Sequence, residues 1–188
     1  MSDARRDATH HNAMLKALYL IRHAHPQPNT GLAYDRAPGP PLSEAGREEA
    51  RATGLYLSQC NLERLFVSPL ERTQETARLI AEHAQAPIQI EEALAEHRSD
   101  ESFESVKARV QDLLARVEGD SFACVGFVTH GSPTKALLQT LSNGALDLSQ
   151  FVFDNGNPAP TAGVWRAERR DGGWRLELVF TPALARSG

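Results

Sequence analysis

The run Leu18-Tyr19-Leu20-Ile21-Arg22-His23-Ala24-His25 decides how the rest of the chain is read. Four consecutive apolar residues lead without a break into a cation and two imidazoles. An apolar run of this kind, without alternation, is the mark of a strand buried on both faces, as in a parallel sheet. In open α/β sheets, ligands bind beyond the carboxyl ends of the strands. Arg22 and His23 therefore stand where chemistry is expected and core is not.

Working outward, the chain alternates strand and helix signals. Residues 25–41 read as a long loop, because Pro26, Pro28, Gly31, Pro38, Gly39, Pro40 and Pro41 interrupt regular structure. A loop of that length leaving a strand end is usually functional and should wall a site. Ser43 is an N-cap for a helix over roughly 44–59, whose Gly46, Ala50 and Gly54 would let it pack closely on the sheet. Leu65-Phe66-Val67-Ser68 is a second strand, followed by a helix over about 70–85 with Thr73, Ala77, Ile80 and Ala84 facing inward. Ile88-Gln89-Ile90 is a short third strand, and a helix over 102–118 follows. Residues 122–129 form the strand that leads to His130, with Ser132 as cap and Pro133 opening the next helix. Asn143-Gly144 stops that helix, and Phe151-Val152-Phe153 reads as another strand. Two polarity-alternating runs then flank Asp171-Gly172-Gly173, a hairpin signal, with Trp165 and Trp174 as packing residues. The fold expected is α/β and three-layered: a mainly parallel sheet with helices on both faces and a C-terminal antiparallel hairpin.

Composition is compatible with one domain over residues 15–184, preceded by a flexible polar extension over 1–14. The hydrophobic share of 41% and the charged share of 23% suit a soluble globular protein. A net charge of −4 without a basic stripe argues against nucleic acid as a partner. No apolar segment is long enough to span a bilayer, and residues 1–14 lack the apolar core of a signal peptide, so no membrane partner is expected. Cys60 falls near a helix end; Cys124, in an apolar strand, reads as a buried free thiol, and both suit a cytoplasmic location.

Three stretches recur as a set. Arg22-His23-Ala24 is followed by Asn29; Ser68-Pro69-Leu70-Glu71-Arg72-Thr73-Gln74-Glu75-Thr76-Ala77 comes next; Val128-Thr129-His130-Gly131 closes the series. Together, and in this order, they resemble the signatures of the histidine phosphatase superfamily, also called phosphoglycerate mutase-like. The resemblance implies a phosphomonoester hydrolase working through a covalent phosphohistidine, with no cofactor and no metal, acting on a small phosphomonoester or a phosphoprotein.

The residues support that chemistry in their own right. His23 is the candidate nucleophile, since cations beside it, Arg22 and Arg72, favour a neutral imidazole. Arg72 lies in the first turn of a helix, where the macrodipole disfavours a cation unless an anion sits nearby; the alternative is a solvated surface arginine. His130 and Gly131 end a strand and open a helix, an anion-binding position, and Gly131 would let the backbone approach the ligand. By resemblance, His130 helps hold the phosphoryl group and Asn29 contacts phosphate. Leu94-Ala95-Glu96 resembles the segment that supplies the general acid, so Glu96 takes that role; the alternative is a solvated glutamate. Arg36 and Arg98, in loops facing the site, are candidates for substrate contact. His83 and His97 read as solvent-exposed, and Arg109 as a surface residue.

Two other readings compete. A phosphomutase of the same family would have to retain an intermediate in a closed site, and the family's long insertion after the acid residue is missing here, where His97-Arg98-Ser99-Asp100 leads straight to a helix. For the same reason the pocket is expected to be shallow and open. A metal hydrolase could use His23, His25 and His130, but arginines stand where its carboxylates would be needed.

Overall fold

The computed structural model describes residues 14–182. The elements run β1 (Ala17–Arg22), α1 (Glu44–Leu57), β2 (Arg64–Val67), α2 (Glu71–Ala84), β3 (Ile88–Ile90), α3 (Phe103–Gly119), β4 (Cys124–Thr129), α4 (Gly131–Leu141), β5 (Val164–Arg170) and β6 (Gly173–Phe180). They form a six-stranded sheet in the order β3-β2-β4-β1-β5-β6. β3, β2, β4 and β1 run parallel, while β5 and β6 are antiparallel additions beside β1. The expected three-layer α/β fold is present, hairpin included. Most of the extension over 1–14, and the last two residues of the domain expected over 15–184, lie outside the described residues.

β1 lies inside the sheet, paired with β4 on one side and β5 on the other. Its side chains alternate between two cores, as the pleat requires. Leu18 and Leu20 enter a core built with Val110, Leu114, Phe127, Leu137 and Trp165. Tyr19 and Ile21 enter the opposite core with Leu57, Val67, Ile80 and Val128. So α3 and α4 cover one face and α1 and α2 the other. Removing such a side chain, as in Leu20→Ala, typically costs about 2–5 kcal/mol.

Parallel register sets the strand ends side by side. Arg22 pairs with Thr129, the His23 amide donates to the Thr129 carbonyl (2.9 Å), and the Ser68 amide donates to the Val128 carbonyl (3.0 Å). His23, His130 and Ser68 thus leave the sheet at one edge.

Several expectations are corrected. Residues 151–153 form no strand; they lie between two short 3₁₀ turns, Leu148–Gln150 and Asp154–Gly156. Phe151 instead packs edge-on against Trp165, with ring centroids 4.7 Å apart. α4 begins at Gly131 with His130 itself as N-cap, so Ser132 lies inside the first turn. The small residues of α1 approach neighbours other than the sheet. Gly46 packs on the His25 backbone, where a β-carbon would stand 2.1 Å from the carbonyl oxygen, and Gly54 packs on the α2 backbone and the His83 ring. His83 and His97 are half-buried rather than solvated, and so is Cys124. The Asp171-Gly172 turn closes the hairpin with Gly172 at φ 88°, a left-handed conformation that glycine adopts without strain.

Gly46→Ala is expected to lower unfolding free energy by roughly 1–3 kcal/mol, because a backbone carbonyl cannot yield as a side chain can. Gly119→Ala, at the end of α3 with open space around its β-carbon position, is expected to leave stability unchanged or slightly higher. Urea unfolding of both variants checks the contrast.

Candidate active site

His23 is 1% exposed and His130 fully buried, with ring centroids 5.2 Å apart. The His23 Nδ1 lies 2.8 Å from the Ala24 carbonyl oxygen. A carbonyl can only accept, so Nδ1 carries the proton and Nε2 keeps its lone pair. His130 has the opposite tautomer. Its Nδ1 lies 3.0 Å from Nη2 of Arg72, which can only donate, so the proton sits on Nε2, 2.7 Å from the Ser68 hydroxyl. Burial and the two guanidinium groups, Arg72 before Arg22, hold His23 well below the ordinary histidine range. Burial, Arg72 and His23 do the same to His130. Both rings are therefore neutral at pH 7.

Arg72 is fully buried in the first turn of α2 and forms no salt bridge among the described residues. Its Nη2 donates to the Tyr34 carbonyl (2.8 Å) as well as to His130, and its guanidinium stands 4.2 Å from the Tyr34 ring centroid. Its Nε and Nη1 are buried with no hydrogen-bond partner among the described residues. A buried cation with unused donors is an anion-seeking group. Arg22, 5% exposed, donates through Nη1 to Asp154 Oδ1 (2.8 Å) and to the Ala159 carbonyl (2.8 Å), and through Nη2 to Asp154 Oδ2 (2.7 Å).

Glu96 comes to the same place. One carboxylate oxygen accepts from the His97 amide (2.8 Å) and the other lies 3.9 Å from His130 Nδ1; with His130 neutral, that approach is not an ion pair. Arg109 secures the segment from beneath, donating to the carbonyls of Ala93 (2.5 Å) and Glu96 (3.3 Å) and to the Glu101 carboxylate. Arg109 is thus a structural clamp, only partly exposed, and not the surface residue expected.

Arg22, His23, His25 and Glu96 line one cavity of about 880 Å³. Its far wall is residues 153–161, and Tyr34 from the long loop bounds it as well. This wall was not expected: it lines the pocket from a part of the chain remote from the segment after Glu96. At Gly131 a β-carbon would stand 1.5 Å from Asn157 Oδ1. The glycine makes room for a wall residue, and Asn157 in turn donates to the Asp154 carbonyl (2.9 Å).

The remaining candidates lie apart. Asn29 is exposed and lines a neighbouring depression with Pro26 and Tyr34. Arg36 and Arg98 are exposed, and both pair with Asp100, at 2.9 and 3.2 Å. His25 lines the cavity, and its Nδ1 lies 3.1 Å from the Ser43 hydroxyl at the start of α1. Among the described residues, no three His, Cys, Asp or Glu side chains come together as a metal site, and no helix is long and apolar enough to cross a membrane. Sequence reasoning missed Tyr34, Ser68 and Asp154. Ser68 stood in a quoted stretch next to the strand end, so parallel register could have found it; Asp154 and Tyr34 carry no local signal.

Comparison with known proteins gives a consistent result. Residues 18–100 match the family model described as histidine phosphatase superfamily (branch 1). The chain is 35% identical to phosphoserine phosphatase 1 of Hydrogenobacter thermophilus, over 82% of this chain and 88% of that protein. It is 37% identical to adenosylcobalamin/alpha-ribazole phosphatase of Escherichia coli over 39% of this chain, a match spanning only 36% of that protein's length. Among solved structures, phosphoglycerate mutase from Bacillus anthracis superimposes with a TM-score of 0.69 at 18% identity, covering 89% of this chain and 94% of that one.

The two neutral histidines set a pH dependence of stability. Their folded-state values lie below the unfolded value of about 6.5, so between the two the unfolded chain binds more protons. Stability is therefore full above that window and falls as pH drops through it, by up to about 1.4 kcal/mol per pH unit for each histidine. His23→Gln is expected to flatten the acid side of the Tm–pH curve; an unchanged slope would mean that His23 titrates normally.

Proposed function

The chain belongs to the histidine phosphatase superfamily, and on that premise we propose that it hydrolyses phosphomonoesters through a phosphohistidine on His23. The observation that carries the reading is the hydrogen bond from His23 Nδ1 to the Ala24 carbonyl. It leaves the Nε2 lone pair available on a ring that burial and two arginines keep unprotonated.

In the first step Nε2 attacks phosphorus, the N–P bond forms, and the P–O bond to the alcohol breaks as Glu96 gives its proton to the departing oxygen. In the second, Glu96 takes a proton from water, the water oxygen attacks phosphorus, the N–P bond breaks, and inorganic phosphate leaves. Arg22, Arg72 and the first amides of α4 hold the phosphoryl charge throughout, and His130, in contact with His23 and bonded to Arg72, positions that guanidinium. The reaction needs no metal on this reading. Both ring nitrogens of His130 are engaged, by Arg72 and Ser68, which leaves it no lone pair for a cation.

The substrate is a phosphomonoester of substantial size. A cavity of about 880 Å³ is far more than a phosphate group fills, and pockets for whole small molecules run to ~300–1,000 Å³. Relatives named for phosphoserine and for alpha-ribazole phosphates support a small molecule over a phosphoprotein.

Labelled substrate quenched in alkali is expected to leave a phosphorylated protein whose label is lost in acid and absent from His23→Ala; an acid-stable label would refute the phosphohistidine. Activity is expected to persist in EDTA. Glu96→Gln should slow alkyl phosphates by roughly 10²–10⁴-fold and p-nitrophenyl phosphate far less, since that leaving group needs little protonation. Equal losses on both would remove Glu96 from the acid's role.

A further inference from the structure

Arg22 is held by a partner that the phosphoryl chemistry does not require. Asp154 grips the Nη1–Nη2 edge of its guanidinium with both carboxylate oxygens, at 2.8 and 2.7 Å, and the Ala159 carbonyl takes the other Nη1 proton at 2.8 Å. The fork-on-fork geometry is the most orientationally specific contact an arginine makes. What remains free is the other edge: Nε–H, which is buried without a partner among the described residues, and the second proton of Nη2. That edge is itself a fork, and it matches two oxygens of a phosphoryl group.

Asp154 is built to stay where it is. It opens the 3₁₀ turn Asp154–Gly156, in which Asn155 is left-handed at φ 53°. The turn is closed by the Phe153 amide on the Asn157 carbonyl (3.0 Å) and by the Asn157 side chain on the Asp154 carbonyl (2.9 Å). Downstream, the Trp165 indole anchors the Pro158 carbonyl (2.9 Å). The carboxylate is half exposed, its side chain at 50%, while that of Arg22 is at 6%, so it faces the cavity and is solvated on its outer side. Solvation on that side keeps the ionised form cheap while the arginine is fixed from within.

We propose that Asp154 is a positioning residue for phosphate recognition: by occupying one edge of the Arg22 guanidinium it presents the Nε–Nη2 edge to the transferring phosphoryl group. The assignment rests on the hydrolase reading above for its substrate. The rival arrangement, in which Asp154 is a resident anion that phosphate must displace, makes the opposite forecast for binding.

The test is binding of inorganic phosphate and of orthovanadate to the full chain, measured by calorimetry, with kcat and KM on p-nitrophenyl phosphate alongside. The proteins are wild type, Asp154→Ala, Arg22→Ala and the double variant. Asp154→Ala is expected to weaken both anions roughly tenfold and to lower kcat/KM in step, with no further loss when added to Arg22→Ala. Asp154→Asn, which keeps one acceptor oxygen, should recover part of the loss, and it stands in if thermal melts show Asp154→Ala to be unfolded. Unchanged or tighter anion binding, or an equal loss in the Arg22→Ala background, overturns the proposal. A wild type that binds phosphate but turns over no ester refutes the hydrolase reading, while the binding series still decides the part played by Asp154. Failure of the wild type to bind either anion refutes both.

Discussion

A fully buried guanidinium that forms no salt bridge among the described residues is the constraint on which the site depends. Arg72 is held by a backbone carbonyl, a ring face and one imidazole lone pair, and none of these neutralises it. Removing a charge from water without a counter-ion is expensive, and the same charge does the site's work. Added to their burial, it keeps the neighbouring histidines neutral; it also fixes the tautomer of His130 and leaves donors that only an anion satisfies.

The sheet supplies the arrangement. β1 and β4 run parallel and adjacent, in a register that ends both strands at the same level, so the residues that follow them, His23 and His130, emerge in contact. β2, on the far side of β4, delivers Ser68 and then α2 with Arg72. Three segments distant in sequence meet because parallel strands present all their carboxyl ends on one edge. The antiparallel pair β5–β6 lies on the other flank of β1, and the segment that enters it crosses the site and walls it.

Much of this was legible in the sequence. The apolar run of β1 announces burial on both faces, and its Arg-His ending announces a strand end with chemistry. The wall was misread for a physical reason. Phe151-Val152-Phe153 has the composition of a strand, but β1 already has both neighbours, so no edge is open to it there, and Phe151 packs on Trp165 instead. The pairing of Arg22 with Asp154 spans 132 residues, and no local periodicity encodes such a contact. Tyr34 was hidden in a loop whose prolines and glycines say only that it is irregular. Arg109 looked like one more polar residue on an amphipathic helix, since pattern alone does not reveal that carbonyls of the Glu96 segment lie within its reach. Asn29, Arg36 and Arg98 were nominated by resemblance or by position in loops, and none of them lines the cavity that His23 lines.

The contact between Gly131 and Asn157 has a consequence for how such a site diversifies. The start of α4 and the cavity wall, in the turn before β5, interlock here, where the glycine's missing side chain is the seat of the asparagine's amide. The two positions are therefore not free to vary independently. A lineage that gained a side chain at 131 would have to unseat or shorten residue 157, and the turn carrying Asp154 would lose its strut. Substitutions that reshape the wall for a new substrate can accumulate at Phe153 or Thr161 without touching the phosphate end, while 131 and 157 change together or not at all. Specificity can drift while the seat of the reaction stays fixed, and this pair of residues marks the boundary between them.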